Sequence, residues 1–268
     1  MESPIAITMV GMPADTRLLV AGDDGSPAAD AVWGWLISQT WPGWSIEILT
    51  ADEEGIKWGQ PPEPVEWSPP WERKGTLPGA VGVRYLRVNS DPRPMLGDRI
   101  DADLLVVGRA GVAHEHLPAI GSTSDWLLHH PVAPLALIGR PGQVSSVVVC
   151  VDGSAHSQRA TEVFSSLPLA AATQVTAISV DDGRVDPEAA IEAASTVLLS
   201  HVASVAGLVL DGSPTEAILR HLEETSPDLV VMGTKGLAGW QRLLLGSTAG
   251  AVARTSRCNL LICSAEES

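Results

Sequence analysis

Short apolar runs alternate with capped stretches of mixed polarity along most of the chain. In the first half, Arg17–Ala21, Ser45–Thr50, Val83–Val88, Leu104–Val107 and Val132–Ile138 read as strands. Pro27 to Thr40 reads as a helix, with Ser26 as its cap and Pro27 in its first position. Residues 92–101 have room for a short helix, and Ser122–His130 reads as another. In the second half, Val147–Val151, Gln174–Val180, Gly207–Asp211, Leu229–Met232 and Asn259–Cys263 read as strands. Helices are expected over Ser154–Ser166, Pro187–Ala203, Pro214–Glu224 and Ser247–Thr255. Strands that are apolar throughout and alternate with helices predict a parallel sheet covered on both faces, an α/β doubly wound fold.

The pattern occurs twice. Gly233-Thr-Lys-Gly236, nine residues, then Gly246-Ser247-Thr248 is repeated as Gly108-Arg-Ala-Gly111, nine residues, then Gly121-Ser122-Thr123. Val147–Ser154 repeats Leu19–Ser26, and Cys258–Cys263 repeats Ala133–Ile138, in the same order and at nearly the same offset. The unit is too long for a solenoid repeat, so two whole domains are expected. They divide as an arm over 1–15, a first domain over 16–140, a linker over 141–146 and a second domain over 147–268. A Pro- and Trp-rich excursion over 51–80 stands where the first domain should carry its second helix, and it is expected to be irregular.

Composition narrows the chemistry. The chain has 268 residues and a formal net charge of −15, which disfavours nucleic acid and anionic lipid as partners. The three cysteines, Cys150, Cys258 and Cys263, form no C-x-x-C pair and sit in apolar runs, as buried structural thiols do. The opening residues lack the pattern of a secretory signal, and no apolar run reaches membrane-spanning length. A cytoplasmic location is expected.

The glycine loops carry the candidate chemistry. In a doubly wound sheet, ligands bind beyond the carboxyl ends of the strands, where the connection order reverses. Asp152 and Gly233 end the first and fourth strands of the second half. Gly233 is expected to turn the chain sharply and let a ligand approach the backbone, Gly236 to take a positive φ, and Gly246 to clear space for phosphate. Ser247 and Thr248 open a helix whose N-terminal amides attract anions. Lys235 and Arg242 are the loop's cations. Asp152 reads either as a ligand contact (to a ribose hydroxyl, an adenine amine or a metal ion) or as the cap of the following helix.

On these residues the chain resembles the universal stress protein family. The spaced glycines, Val151-Asp-Gly-Ser154 and Gly212-Ser-Pro214 before the third helix of the second half carry the resemblance, which covers nearly the whole chain in a tandem form. It implies two five-stranded sheets of order 3-2-1-4-5, ATP binding with a divalent ion such as Mg2+, and little or slow turnover. It also implies pairing through the last strand, either within the chain as a pseudo-dimer or between chains as a homodimer. By the same resemblance, Val151, Asp152 and Val180 would face the nucleoside, and Met232 and Gly233 would line base and ribose. Thr234, Lys235, Gly236, Gly239, Gly246, Ser247 and Thr248 would surround the phosphates. In the first half the carry-over gives Gly22, Asp24, Val107, Gly108, Gly111, Gly121, Ser122 and Thr123.

The first half departs from that pattern. It reads Ser90-Asp-Pro-Arg-Pro94 where Gly-x-Pro is expected, and it has Leu117 in place of Arg242, with Glu115 nearby. Weaker nucleotide binding, or none, is expected there. His114, His116, His129 and His130 read as surface histidines or as a metal site. Trp33 and Trp35 belong to the first helix. Trp58, Trp67 and Trp71 read as a loop folded on its own domain, as a lid on the first site or as a partner surface. Three functions stay open: a nucleotide-binding regulatory protein, a nucleotide-free scaffold, and a slow ATPase or adenylate-transferring enzyme. No P-loop, nucleophile elbow or placed carboxylate–His base favours the enzyme.

Overall fold

The computed structural model describes residues 15–52, 64–69, 76–109, 120–236 and 245–265. In the first half, β1 (Arg17–Gly22), α1 (Pro27–Ile37), β2 (Trp44–Ala51), β3 (Pro64–Glu66), β4 (Gly82–Val88), α2 (Pro92–Gly97), β5 (Leu104–Gly108), α3 (Ser122–His129) and β6 (Leu135–Ile138) follow one another. In the second come β7 (Ser146–Cys150), α4 (Ala155–Ser166), a 3₁₀ turn (Pro168–Ala172), β8 (Gln174–Asp181), α5 (Pro187–Leu198) and β9 (Ser204–Asp211). The chain continues through α6 (Pro214–Thr225), β10 (Leu229–Gly233), α7 (Ser247–Thr255) and β11 (Asn259–Cys263).

Among the described residues the eleven strands form one sheet, in the order β3-β4-β2-β1-β5-β6-β11-β10-β7-β8-β9. Each half contributes a parallel 3-2-1-4-5 set, and the two sets meet where β6 runs antiparallel to β11, with Leu137 opposite Leu260 and Ala136 opposite Leu261. The resemblance's pairing through the last strand therefore occurs inside the chain. Along β1, Leu19 and Ala21 belong to the apolar layer that holds α1, α4 and α5, while Leu18 and Val20 belong to the layer that holds α2, α3, α6 and α7. Both apolar layers run unbroken across the seam: Ala136, Ile138, Leu261 and Cys263 lie in one, and Leu135, Leu137, Leu260 and Ile262 in the other. Each fully buried side chain of this size contributes roughly 1.5–3 kcal/mol.

Several expected boundaries move. The first helix stops at Ile37, not Thr40, because the indole of Trp41 is fully buried with its N–H on Leu36 O and Pro42 follows it. The helix expected to reach Ala203 stops at Leu198, and β9 begins at Ser204 in register with Gln174 of β8. β6 begins at Leu135, after Pro131 and Pro134, which have no N–H to donate. Within the excursion, residues 64–66 are not irregular. They add an antiparallel edge strand to β4, and Pro64 is tolerated there because the edge needs no donor on that side. Gly212 takes φ +110 and turns the chain into Pro214, the first residue of α6.

Glu47 interrupts the apolar reading of β2. It is 1% exposed, its Oε2 lies 2.8 Å from Arg99 and its Oε1 3.3 Å from Arg84. Arg99, equally buried, also grips Asp101 with two donors, at 2.8 and 2.9 Å. Burial works to lower the Arg99 pKa, but Asp101 and Glu47 outweigh it and push the value up.

Candidate functional site

At the carboxyl end of the second-half sheet, the chain leaves β7 towards β8 on one side and comes back through β10 on the other. A cavity of about 550 Å³ opens at this switch point. Its walls are the ends of β7, β8 and β10 and the first turns of α6 and α7. Cys150, Val151, Ile178, Val180, Ile218 and Met232 make an apolar side; Gly233–Gly236 and Gly246–Thr248 make a side rich in backbone and hydroxyl groups.

Local sequence explains the polar side. Gly246 is the N-cap of α7 and has no side chain to bond the first-turn amides. Its own N–H donates to Thr234 O at 2.7 Å, which ties the helix start to the loop after β10. Ser154 caps α4 by accepting from Ser157 N–H at 3.2 Å, and its hydroxyl donates to Lys235 O at 3.3 Å. Thr234, 2% exposed, places its Oγ1 3.0 Å from His156 Nδ1, which also accepts from Ala265 N–H at 2.9 Å. Thr248 pairs with Thr215 of α6, hydroxyl to hydroxyl, at 3.1 Å.

Each glycine of the loop makes room for a neighbouring part of the chain. Gly236 does not take a positive φ. A Cβ there would stand 2.5 Å from Asp152 Oδ2, so the residue is small because a carboxylate passes over it. A Cβ on Gly233 would lie 2.6 Å from the carbonyl carbon of His156 and 2.8 Å from Ser157 N, so this glycine admits the first turn of α4. A Cβ on Gly246 would lie 3.1 Å from Thr234 O, so what it clears is the neighbouring loop. Asp152 is not the helix cap. Its Oδ1 accepts from Ser154 N–H at 3.1 Å and closes the turn ahead of that cap, while the residue still lines the cavity.

Val151, Asp152, Val180, Met232, Gly233, Thr234, Lys235, Gly236, Gly246, Ser247 and Thr248 all line this cavity. Gly239 and Arg242 lie outside the described residues. Sequence reasoning missed Ser179, Asp182, Arg184 and Pro214, which also line it. The first three end or follow β8, so the rule that located Asp152 at the end of β7 points to them as well. Ser179 is 1% exposed and its Oγ makes no hydrogen bond among the described residues. Burial, with the charge of Asp152 adding to it, pushes the Cys150 thiol up to about 12.

The described parts of the first half repeat these turns. Asp24 Oδ1 accepts from Ser26 N–H at 3.0 Å, as Asp152 does from Ser154. Gly108 admits α1, since a Cβ there would lie 2.8 Å from Ala28 Cβ. Gly121, Ser122 and Thr123 open α3, again without a side-chain cap. Over Gly22, however, Leu96 and Val107 come within 3.2 and 3.4 Å of a Cβ position, and buried Asp23 stands where the other half has Val151. Gly111, His114, Glu115, His116, Leu117, Trp58 and Trp71 lie outside the described residues. Trp67 packs on the Arg87 guanidinium at 5.3 Å, beside the β3–β4 edge. His129 and His130 each bond a backbone carbonyl of their own helix through Nδ1. Among the described residues no group of three or more metal-ligating side chains occurs, and no helix is long and apolar enough to cross a membrane.

A family model for the universal stress protein family matches residues 144–264. A universal stress protein of Thermus aquaticus is 30% identical over 132 residues, which cover 44% of this chain and 96% of the relative. One from Mycobacterium tuberculosis is 27% identical over 184 residues, covering 60% of this chain and 61% of the relative. One from Methanocaldococcus jannaschii is 41% identical over 54 residues, so the chain spans about a third of that protein, 32% of its length. The crystal structure of a universal stress protein from Archaeoglobus fulgidus superposes over 93% of this chain and 98% of its own, with a TM-score of 0.61 at 20% identity, and so shares the fold across both halves. With the glycine loop, the strand order and a relative matched over nearly its full length in agreement, the chain belongs to the universal stress protein family.

Proposed function

We propose that the second half binds an adenine nucleotide, ATP in the first instance, and that the protein serves as a nucleotide-dependent regulator in a stress response. One observation carries the reading: a single cavity joins an apolar wall to a rim of backbone amides at the uncapped start of α7. An aromatic base suits the first and a phosphate chain the second. The volume of about 550 Å³ suits a ligand of that size. The hydroxyl of Ser179, without a hydrogen bond among the described residues, supports a polar ligand, since a buried donor left unsatisfied is costly.

Mg2+ would arrive with the phosphates and complete its shell with water. Asp152 and Asp182 are the carboxylates in the wall, and Ser247 and Thr248 the hydroxyls, so the donor set fits a hard cation held mainly by its nucleotide. When bound, the ion would neutralise phosphate charge. Lys235 and Arg184 add protein cations at the rim. In the first half, buried Asp23, at the position of Val151, argues for weaker binding.

Calorimetric titration of the whole chain with ATP and Mg2+ tests the reading. Micromolar binding with a stoichiometry near one per chain is expected. No binding heat and no thermal shift would leave the nucleotide-free scaffold as the better account, and turnover of many per second would replace regulation with enzymatic activity. Gly246→Val should abolish binding in a folded protein, because its branched side chain displaces Thr234 and Lys235 from the rim.

A further inference from the structure

The described ends of the two glycine loops are tied down by the same pair of main-chain bonds. Gly246 N–H donates to Thr234 O at 2.7 Å, and Gly121 N–H donates to Arg109 O at 2.8 Å. Thr234 N–H and Arg109 N–H each donate to the neighbouring last strand at 2.9 Å, to Cys263 O and Ile138 O. Arg109 and Thr234 are thus the same position of the repeat. Their side chains part company there. Thr234 stays in its own half against His156. Arg109 crosses the seam: Nη1 donates to Cys258 O at 2.9 Å, and Nη2 donates to Ala253 O and, at 3.5 Å, to Val252 O.

Those carbonyls belong to the last turn of α7 and to the segment leading into β11. The final carbonyls of a helix have no donors within it, and a guanidinium there supplies a fork of donors and opposes the negative pole. The other end of α7 is the site, where Gly246, Ser247 and Thr248 line the cavity. The helix is nine residues long, so its ends stand only about 12 Å apart, and a short packed helix held at one end is held at the other. Arg254 also reaches Asp125 of α3, but at 3.4 Å between half-exposed groups, a contact of little weight.

We propose that Arg109 is a positioning residue for the second-half site. By gripping the C-terminal turn of α7 it keeps the first-turn amides aimed at the bound phosphates, and it couples the glycine loop of one half to the ligand of the other. The inference rests on the nucleotide reading above. By linkage, nucleotide bound at Ser247 and Thr248 tightens the hold of Arg109 on Ala253 and Cys258 to the same extent.

Arg109→Met keeps the stem and removes the donors, and Arg109→Lys keeps the charge and one donor group. The control is Arg140→Met, which removes a different cross-seam bond, Arg140 Nη2 to Pro227 O at 2.8 Å, that does not touch α7. ATP with Mg2+ is titrated into each full-length protein, and amide exchange is followed over residues 247–255 with and without ATP. Arg109→Met should bind ATP at least about fivefold more weakly and exchange faster along α7, Arg109→Lys should fall between it and wild type, and Arg140→Met should match wild type. The proposal is overturned if Arg109→Met binds within twofold of wild type, or if Arg140→Met weakens binding equally. If wild type takes up no ATP, the nucleotide reading fails by itself. Exchange in the ligand-free proteins then decides whether Arg109 holds the Ser247 and Thr248 amides, and unchanged exchange sinks the inference too.

Discussion

Asp152 and Gly236 meet across the crevice: a Cβ added to Gly236 would stand 2.5 Å from Asp152 Oδ2, while Asp152 Oδ1 accepts from Ser154 N–H. One carboxylate is therefore set from both sides, by a turn on β7 and by the absence of a side chain after β10. Gly236→Ala should swing that carboxylate off its turn. The expected result is ATP affinity lowered about tenfold, with a stability cost of only about 1 kcal/mol, because a short side chain yields before a backbone does. Asp152→Ala removes the clash, so the double variant should bind like Asp152→Ala alone. Calorimetry on the four proteins of this cycle checks it, and additive losses would contradict the arrangement.

Much of this architecture was legible in the chain. Ser247–Thr255 and Asn259–Cys263 appear at their expected bounds because a glycine cap and an unbroken apolar run mark them. The strand order came with the family resemblance, and the doubling of the sheet with the repeat. The edge strand over Pro64–Glu66 was hidden, since three residues opened by proline carry no periodic signal. Glu47 was hidden for another reason: its partners Arg84 and Arg99 lie far along the chain, and only the folded sheet brings them together. At the site, small residues marked a loop whose described ends line the cavity, but what each one makes room for is a tertiary fact. Gly233 accommodates His156, and the position after the first glycine is Thr in one loop and a seam-crossing Arg in the other.

The Glu47–Arg99 pair should be costly to break and cheap to delete. Either Glu47→Gln or Arg99→Met leaves a charge at 1% exposure with part of its partner set gone, for a loss of about 3–5 kcal/mol. Replacing both by apolar residues, Glu47→Leu with Arg99→Met, should recover most of that loss. Denaturant unfolding of the three variants measures it. Equal destabilisation by the singles and the double would mean the pair is not a unit.

The cysteines should be silent in the native protein. Burial pushes the Cys150 and Cys263 thiols up to about 12 and raises Cys258 as well. At pH 8 a thiol with a pKa near 12 is ionised in roughly one molecule in ten thousand, and only the thiolate reacts. A thiol reagent should therefore label three groups in denaturant and almost none without it. Rapid native labelling that ATP suppresses would show that Cys150, in the cavity wall, is reachable from solvent.

Asp228 gives the fold an acid-sensitive tie. Its Oδ2 accepts from the N–H and hydroxyl of both Ser145 and Ser146, at 2.8 to 3.0 Å, and so fixes the entry to β7 beside the start of β10. Burial works to raise its pKa, but the four donors outweigh it and hold the value below the ordinary carboxylate range. A folded value below the unfolded one means the stabilisation is present above the unfolded pKa, about 3.9, and is lost as pH falls through the folded value. Asp228→Asn should thus be less stable than wild type at pH 7. The gap should narrow as the pH drops below about 4, because the protonated acid and the amide become alike. Denaturant midpoints of both proteins between pH 7 and pH 2.5 test this. A gap that stays constant to the lowest pH would mean that the Asn variant loses shape at this corner rather than charge.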